Sequence, residues 1–258
     1  MGESIPLPSY AVRPGVTFPD WSAITTPAAR DALLAIFDVE DLEKRWRNYA
    51  PAEDRVRTAL LQLYAERAKA PDLAQLIARA GLGELAVRAL LASLRRRDLV
   101  VLDTIGEKIL GAYPFTERDT GHRVRLGDRT LTAMCAIDAL GAGAMYQHDS
   151  EIDSACRFCK APVRVMTRNH GREIADVDPA AAVVWAGLRY EGGCAADSLC
   201  TVLAFFCHDD HLDAWREAGH QDMRGFRLSI EEALEVGRAI FAPSLAGPAM
   251  AESAEDIR

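Results

Sequence analysis

The chemistry in this chain starts from a thiol and a carboxyl. Cys135 and Asp138 stand three residues apart in the run Leu131-Thr-Ala-Met-Cys-Ala-Ile-Asp138, which is otherwise largely apolar. A helical conformation puts both side chains on one face, about one turn apart. Thiolates select soft metals. A neighbouring acid in an apolar setting, its pKa raised by burial, can protonate what such a metal releases. Taken locally, the same residues also fit a buried structural cysteine beside a helix-capping aspartate, because free cysteine is among the most buried residue types.

The remaining sulfurs have spacings of their own. Cys156-Arg-Phe-Cys159, followed by Lys160-Ala-Pro162, has the form of a zinc-knuckle turn. A redox reading is weaker, since no strand–Cys-x-x-Cys–helix of thioredoxin type surrounds it. Downstream, Phe206-Cys207-His-Asp-Asp-His211 sets a thiol and an imidazole four apart at the start of a helix, on one face. A knuckle giving two thiolates and a helix N-terminus giving two more ligands is a treble-clef arrangement. Four N/S ligands with no open position is what a structural zinc ion requires. The expected set is Cys156, Cys159, Cys207 and His211. His208 is the alternative to His211, although its adjacency to Cys207 makes shared chelation harder. The plainer alternative has Cys207 in the core and the histidines on the surface. Two cysteines then remain: Cys194 in a loop (Glu191-Gly-Gly-Cys-Ala-Ala) and Cys200 at the start of Cys200-Thr-Val-Leu-Ala-Phe-Phe206. Either can approach Cys135, and spacing does not choose between them.

Composition bounds the setting. The chain has 258 residues, enough for one large domain or two modest ones, with 49% hydrophobic and 26% charged residues. Its net charge of −8 argues against a protein whose main task is holding DNA. No apolar run reaches the ~18 residues that span a bilayer, and Met1-Gly-Glu-Ser-Ile-Pro-Leu-Pro lacks the form of a secretory signal. A cytoplasmic location is expected. There thiols stay reduced, so the six cysteines are ligands, nucleophiles or core residues rather than a disulfide framework.

Several elements must position these groups. Residues 1–50 form an N-terminal arm and helices. The stretch to about residue 25, rich in proline, is expected to be extended and irregular. A helix is expected from Pro27 to Phe37, N-capped by Thr26, and a shorter one from Val39 to Tyr49. Residues 51–115 hold three helices: one from Pro51 striped by Val56, Leu60, Leu61, Leu63 and Tyr64; one from Leu73 to Arg79 between an Asp72 cap and Gly81; and one from Glu84 to Arg97 with Leu85, Leu90, Leu91 and Leu94 inward. Strands at Leu99–Leu102 and Lys108–Tyr113 complete a winged helix-turn-helix pattern. Its basic Arg95, Arg96 and Arg97 lie at the end of the third helix, whereas a reading helix meets bases at its start, where Glu84 stands. DNA binding is therefore not expected. Residues 116–241 carry a hairpin at Arg123–Leu126 and Arg129–Thr132 turned by Gly127-Asp128. Further strands are expected at Pro162–Thr167, Ala181–Trp185 and Cys200–Phe206, with a short helix at Leu212–Ala218 and a last helix opened by the capping box at Ser229 and ending near Phe241. Residues 242–258 read as a disordered tail.

Tyr113-Pro-Phe, His122-Arg-Val, Asp128-Arg-Thr-Leu and Met134-Cys-Ala-Ile-Asp-Ala-Leu140, in that order, resemble the alkylmercury (organomercurial) lyases. Cys156 before Ala161-Pro-Val163, and Ser198-Leu-Cys200 before Phe205-Phe206, extend the resemblance, which covers about residues 50 to 218. It implies an α+β fold: a winged helix-turn-helix-like N-terminal domain, then a small mixed or antiparallel sheet catalytic domain. Carried over by position, Cys135 and Cys200 become a thiol pair and Asp138 the proton donor. The implied reaction is protonolysis of a carbon–mercury bond, giving hydrocarbon and Hg(II) held by both thiols, with a small organomercurial as partner and no organic cofactor. Three features depart from the family pattern. Met134 stands where the family has tryptophan; Cys159, Cys207 and His211 have no counterparts there; and the chain is longer. Two other readings use the same residues: a soft-metal-binding or sensing protein, and a thiol/carboxylate enzyme acting on a non-mercury substrate. Asp138 bears on the choice, since a pure chelator needs no proton donor.

Overall fold

The computed structural model describes residues 7–246. They open with an antiparallel hairpin, β1 (Tyr10–Arg13) and β2 (Val16–Phe18). Over these residues the expected irregular arm is corrected. Tyr10, Val12, Val16 and Phe18 alternate inward and are buried. Phe18 stacks on Phe37 with centroids 5.3 Å apart and lies 5.0 Å from Trp46. The aromatic burial outweighs the ladder hydrogen bonds that proline removes. α1 (Pro27–Glu40) follows, with the Thr26 side chain accepting from the Ala29 amide and Pro27 at its first position. The second helix is shorter than expected: α2 covers Leu42–Trp46, because Asp41 adopts left-handed backbone (φ 52°) before it and Arg47 turns extended after it.

α3 (Pro51–Arg67), α4 (Leu73–Ala80) and α5 (Glu84–Arg96) lead into a three-stranded antiparallel sheet of β3 (Val100–Leu102), β4 (Ile109–Ala112) and β5 (Phe115–Thr116). The Asp72 capping box and the left-handed Gly81 bound α4 as expected. One inward position in α5 is corrected. Leu85 is 86% exposed, and the buried stripe runs through Val87, Leu91 and Leu94, the i, i+4, i+7 face. Arg97 also turns inward: its Nε lies 3.1 Å from the buried Glu53 carboxylate and it donates to the Arg45 carbonyl.

The second half is built on two further antiparallel sheets. β6 (Arg123–Leu126) and β7 (Arg129–Thr132) form the expected hairpin, turned at Gly127 with φ 61°. After α6 (Ala136–Tyr146) come β8 (Ser150–Ala155), β9 (Pro162–Arg168) and β10 (Glu173–Asp178), giving the order β10-β9-β8-β6-β7. The other sheet orders β12 (Leu203–Phe206), β11 (Val183–Gly187) and β13 (Gly225–Ser229) as β12-β11-β13, with α7 (Asp209–Glu217) between β12 and β13. The single strand expected over Cys200–Phe206 is corrected, because Cys200–Val202 make a 3-10 turn before β12 begins. The last helix, α8 (Ile230–Leu245), has the Ser229 capping box. It runs past Phe241, and its final carbonyls are satisfied by arginines: Arg13 and Arg57 both donate to the Ser244 carbonyl. The expected tail is therefore corrected over 242–246, and 247–258 lie outside the described residues.

α6 is the central helix. Ala136 to Met145 are all buried, and α6 meets α8 backbone to backbone. A Cβ on Gly141 would come within 2.6 Å of the Gly237 carbonyl oxygen and 2.4 Å of the Phe241 ring. Helices with antiparallel sheets make the fold α+β, as the resemblance implies.

Candidate active site

Cys135 caps α6 rather than lying within it. Its backbone is extended and its Sγ accepts the Asp138 amide hydrogen at 3.4 Å. A thiol thus takes the place that serine, threonine or aspartate usually holds at a helix start, and the Asp138 carboxyl falls in the first turn. The two groups meet directly: Cys135 Sγ donates to Asp138 Oδ2 at 2.7 Å. From the other side of the core Cys200 Sγ donates to the same oxygen at 3.7 Å. The three ligand atoms lie within 4.8 Å of one another, and all three residues are buried. Of the two cysteines that spacing left open, Cys200 is the one brought to Asp138.

Burial sets the electrostatics. It pushes the Asp138 carboxyl up to about 7, although both thiol hydrogen bonds pull the other way. It pushes the Cys135 thiol up to about 11, with the Asp138 charge adding to the effect. At neutral pH the sulfur keeps its proton while the carboxyl is near half-ionised. Asp138 can then hold or release a proton near neutral pH, whereas the Cys135 thiol gives its proton up only as a metal binds the sulfur.

The site faces a small apolar cavity of about 40 Å³. Its lining comes from far along the chain: Ile36 of α1, Leu42 and Trp46 of α2, Tyr113, Leu199 and Phe241 of α8 among others. Apart from Tyr113, which belongs to the Tyr113-Pro-Phe motif, these lining residues show only apolar periodicity in the sequence, because what unites them is contact across the fold.

Asp98, another residue that sequence reasoning missed, ties down the segment carrying Cys200. Its buried carboxylate accepts from the Ala195 amide at 2.7 Å and the Tyr113 hydroxyl at 3.1 Å, while the Ala196 amide donates to Tyr113 Oη at 2.9 Å. Burial raises the Asp98 pKa, and these hydrogen bonds oppose the rise. The only signal in the sequence was an acid at the junction of α5 and the apolar run Leu99-Val-Val-Leu102. Cys194 belongs to this outer group. It lies 3.7 Å from Tyr113 Oη, and burial pushes its thiol up to about 11.

The second cluster assembles as spacing predicts. Cys156, Cys159, Cys207 and His211 have their ligand atoms within 4.8 Å of one another. Cys156 Sγ is 3.6 Å from His211 Nδ1 and Cys159 Sγ is 3.7 Å from Cys207 Sγ. The sulfurs are too far apart for a disulfide, which holds them ~2.05 Å apart. The knuckle is the turn from β8 to β9, closed by the Cys156 amide on the Ala161 carbonyl and by left-handed Lys160. His208 occupies the N-cap of α7, its ring tilted against that of His211, and does not join the cluster. His122, from the His-Arg-Val motif, is held neutral: burial brings its pKa down to about 4, and its Nδ1 shares a hydrogen with Ser154 Oγ at 2.8 Å.

Comparison with known proteins accords with this geometry. The family model described as alkylmercury lyase matches residues 115–242, which span Cys135, Asp138 and Cys200. Residues 115–242 form an alkylmercury lyase family domain. An alkylmercury lyase of Bacillus cereus is 28% identical over 119 residues, 46% of this chain and 52% of that protein. One from Staphylococcus epidermidis is 28% identical over 139 residues, 54% of this chain and 61% of that protein. The chain thus spans about half the length of the first of these relatives. A crystal structure of the mercury-bound form of MerB2 shares the fold with a TM-score of 0.65 at 22% identity, covering 86% of this chain and all of that one. Among the described residues no helix is long and apolar enough to cross a membrane.

Proposed function

We propose that the chain cleaves carbon–mercury bonds by protonolysis. The observation that carries this reading is that two thiols converge on one oxygen of a buried carboxyl, Asp138 Oδ2. The substrate is an organomercurial R–Hg–S–R′, in which R′S is a small thiol. Cys135 gives its proton to Asp138 and binds mercury. Cys200 then binds, its proton leaving with the carrier thiol as R′SH. With two sulfurs donating electron density, the mercury–carbon bond breaks. Its electron pair takes the proton held by Asp138, and R–H departs. Both cysteine protons are thereby accounted for, and Hg(II) remains on both sulfurs. Thiolate softness favours the metal over nitrogen or oxygen ligands, and the buried acid delivers the proton at the moment carbon acquires charge. A chelator or sensor would use the two thiols but leave the shared acid without a task, which favours catalysis over binding alone.

The test is incubation of the reduced protein with a phenylmercury thiolate and detection of benzene. Cys135→Ser, Cys200→Ser and Asp138→Ala should each abolish its release. Full activity in any one of them rejects the mechanism.

The Cys156–Cys159–Cys207–His211 cluster is read as a closed structural zinc site of treble-clef type. The donor set fits. With Zn–S of about 2.3 Å and Zn–N of about 2.1 Å, a tetrahedron has S–S edges of about 3.8 Å and S–N edges of about 3.6 Å, against 3.7 and 3.6 Å here. Such an ion supplies folding energy and no chemistry. Elemental analysis should find about one zinc per chain. Residues 51–115 are read as a winged helix-like unit without a DNA-reading role, and 116–241 as the catalytic unit. The reduced thiols suit a cytoplasmic setting.

A further inference from the structure

The two clusters are joined by one short segment and by the same pair of sheets. Cys135 and Asp138 follow β7, at the edge of the five-stranded sheet, whereas Cys200 and Cys207 stand at the two ends of the segment containing β12, at the edge of the three-stranded sheet. The ligand cluster divides in the same way. Cys156 and Cys159 belong to the β8–β9 turn of the first sheet, while Cys207 and His211 belong to the β12–α7 junction of the second. Among the described residues no strand pairing links the sheets. At this corner the Arg157 amide donates to the Phe205 carbonyl at 2.8 Å, and the His122 ring lies 5.8 Å from that of Phe205.

We infer that the metal is an inter-sheet clamp, setting the distance between the two catalytic thiols from the far end of β12. The inference rests on the zinc reading above. An ion bound by two ligands from each sheet fixes the end of β12, and the Asp98–Tyr113–Ala195 hydrogen bonds fix the loop before Cys200. Cys200 is thus held at both ends of its segment. Its 3.7 Å reach to Asp138 Oδ2 lies near the limit of a sulfur hydrogen bond, so a small slide of β12 parts the thiol from the acid. Misplacement of a reacting group by about 1 Å can cost on the order of 10²-fold in rate. The four ligands are then positioning residues for Cys200.

The experiment compares the intact protein with His211→Cys, which keeps four ligands, and His211→Ala, which keeps three. Each is measured for zinc content, for amide hydrogen exchange and for single-turnover benzene release with substrate below the protein concentration. The expected result is zinc and full turnover in the intact protein, and in His211→Cys zinc retained with turnover closer to that of the intact protein than to that of His211→Ala. In His211→Ala, zinc is lost, exchange is faster along residues 200–206 but not along α6, and turnover falls on the order of 10²-fold. If His211→Ala does not fold, chelator-stripped intact protein replaces it, with restoration of both readouts on adding zinc back. Zinc loss with faster exchange confined to 156–160 and 207–211 and unchanged turnover overturns the clamp. Intact protein purified without zinc overturns it by removing its premise. If zinc is present but no benzene is released, it is the lyase reading that fails, and the exchange pattern alone decides the clamp.

Discussion

In the proposed mechanism, Asp138 is the residue on which both chemistry and stability turn. Its carboxyl titrates near 7, and in the proposed mechanism it must be ionised to take the Cys135 proton. The kcat/KM for an organomercurial should therefore rise with pH through about 7, a limb that a pH series on the intact protein would reveal. Its effect on folding has the opposite slope. A carboxyl whose folded pKa lies above its unfolded value binds more protons in the native state between the two, so stability falls as pH rises from the ordinary carboxylate range to about 7. Asp138→Asn, which cannot ionise, should melt above the natural protein at pH 8, and the gap should close below about pH 4. Thermal melting at several pH values would check this; a constant gap would mean that the carboxyl is not strained by burial. Asp98 makes a second prediction at this scale. Because it accepts from both Tyr113 and the Ala195 amide, Asp98→Ala should release the Cys200 loop and slow turnover at least tenfold while zinc content stays unchanged. Cys194→Ser, which removes a thiol outside the Asp138 group, should retain the ability to release benzene.

Among the elements, α6 and the short α2 carry the most information. Gly141 and Gly237 let α6 and α8 touch backbones. Gly141→Val must push the helices apart and move the cap that Cys135 forms. A loss of more than about 3 kcal/mol is expected, in line with severe overpacking of a core, and denaturant unfolding would measure it. α2 has a different role. Leu42 and Trp46 roof the cavity beside Cys135, so Trp46→Leu should enlarge it and shift preference from alkyl- toward arylmercury substrates, read as the ratio of kcat/KM for the two. The elements were unevenly legible in the sequence. α3, α4, α5 and α8 announced themselves by apolar period and caps. β8 and β10 did not, because their exposed faces carry Glu151, Asp153, Glu173 and Asp176 and their inward residues are few. The β1–β2 hairpin was hidden by its prolines, whose effect is local, while the aromatic burial that wins is tertiary.

Across the whole molecule, the candidate active site is assembled from regions that a linear reading keeps apart. The Cys135–Asp138 pair and the four-ligand cluster were legible because the chemistry is written in short spacings. That Cys200 rather than Cys194 reaches Asp138 was not a matter of spacing; it followed from the family resemblance and is seen in the geometry. The cavity walls from α1, α2 and α8 had no local signature at all. A chain begun at Thr25 would lack Phe18, which packs on Phe37 and Trp46. It should melt at lower temperature and lose turnover more than zinc, a comparison open to calorimetry and elemental analysis.

The hydrogen bond by which Cys135 closes the start of its helix has a consequence for survival in a cell under oxidative stress. With its thiol titrating near 11, about one molecule in ten thousand carries a sulfur anion there at neutral pH. Peroxide and iodoacetamide, which react with that anion, find almost nothing to attack. A metal that strips the hydrogen from sulfur as it binds needs no preformed anion, provided the adjacent acid receives it. The resting site is thus passive toward common electrophiles yet open to a thiophilic cation, and slow iodoacetamide labelling of Cys135 beside rapid organomercurial turnover would display both properties in one protein.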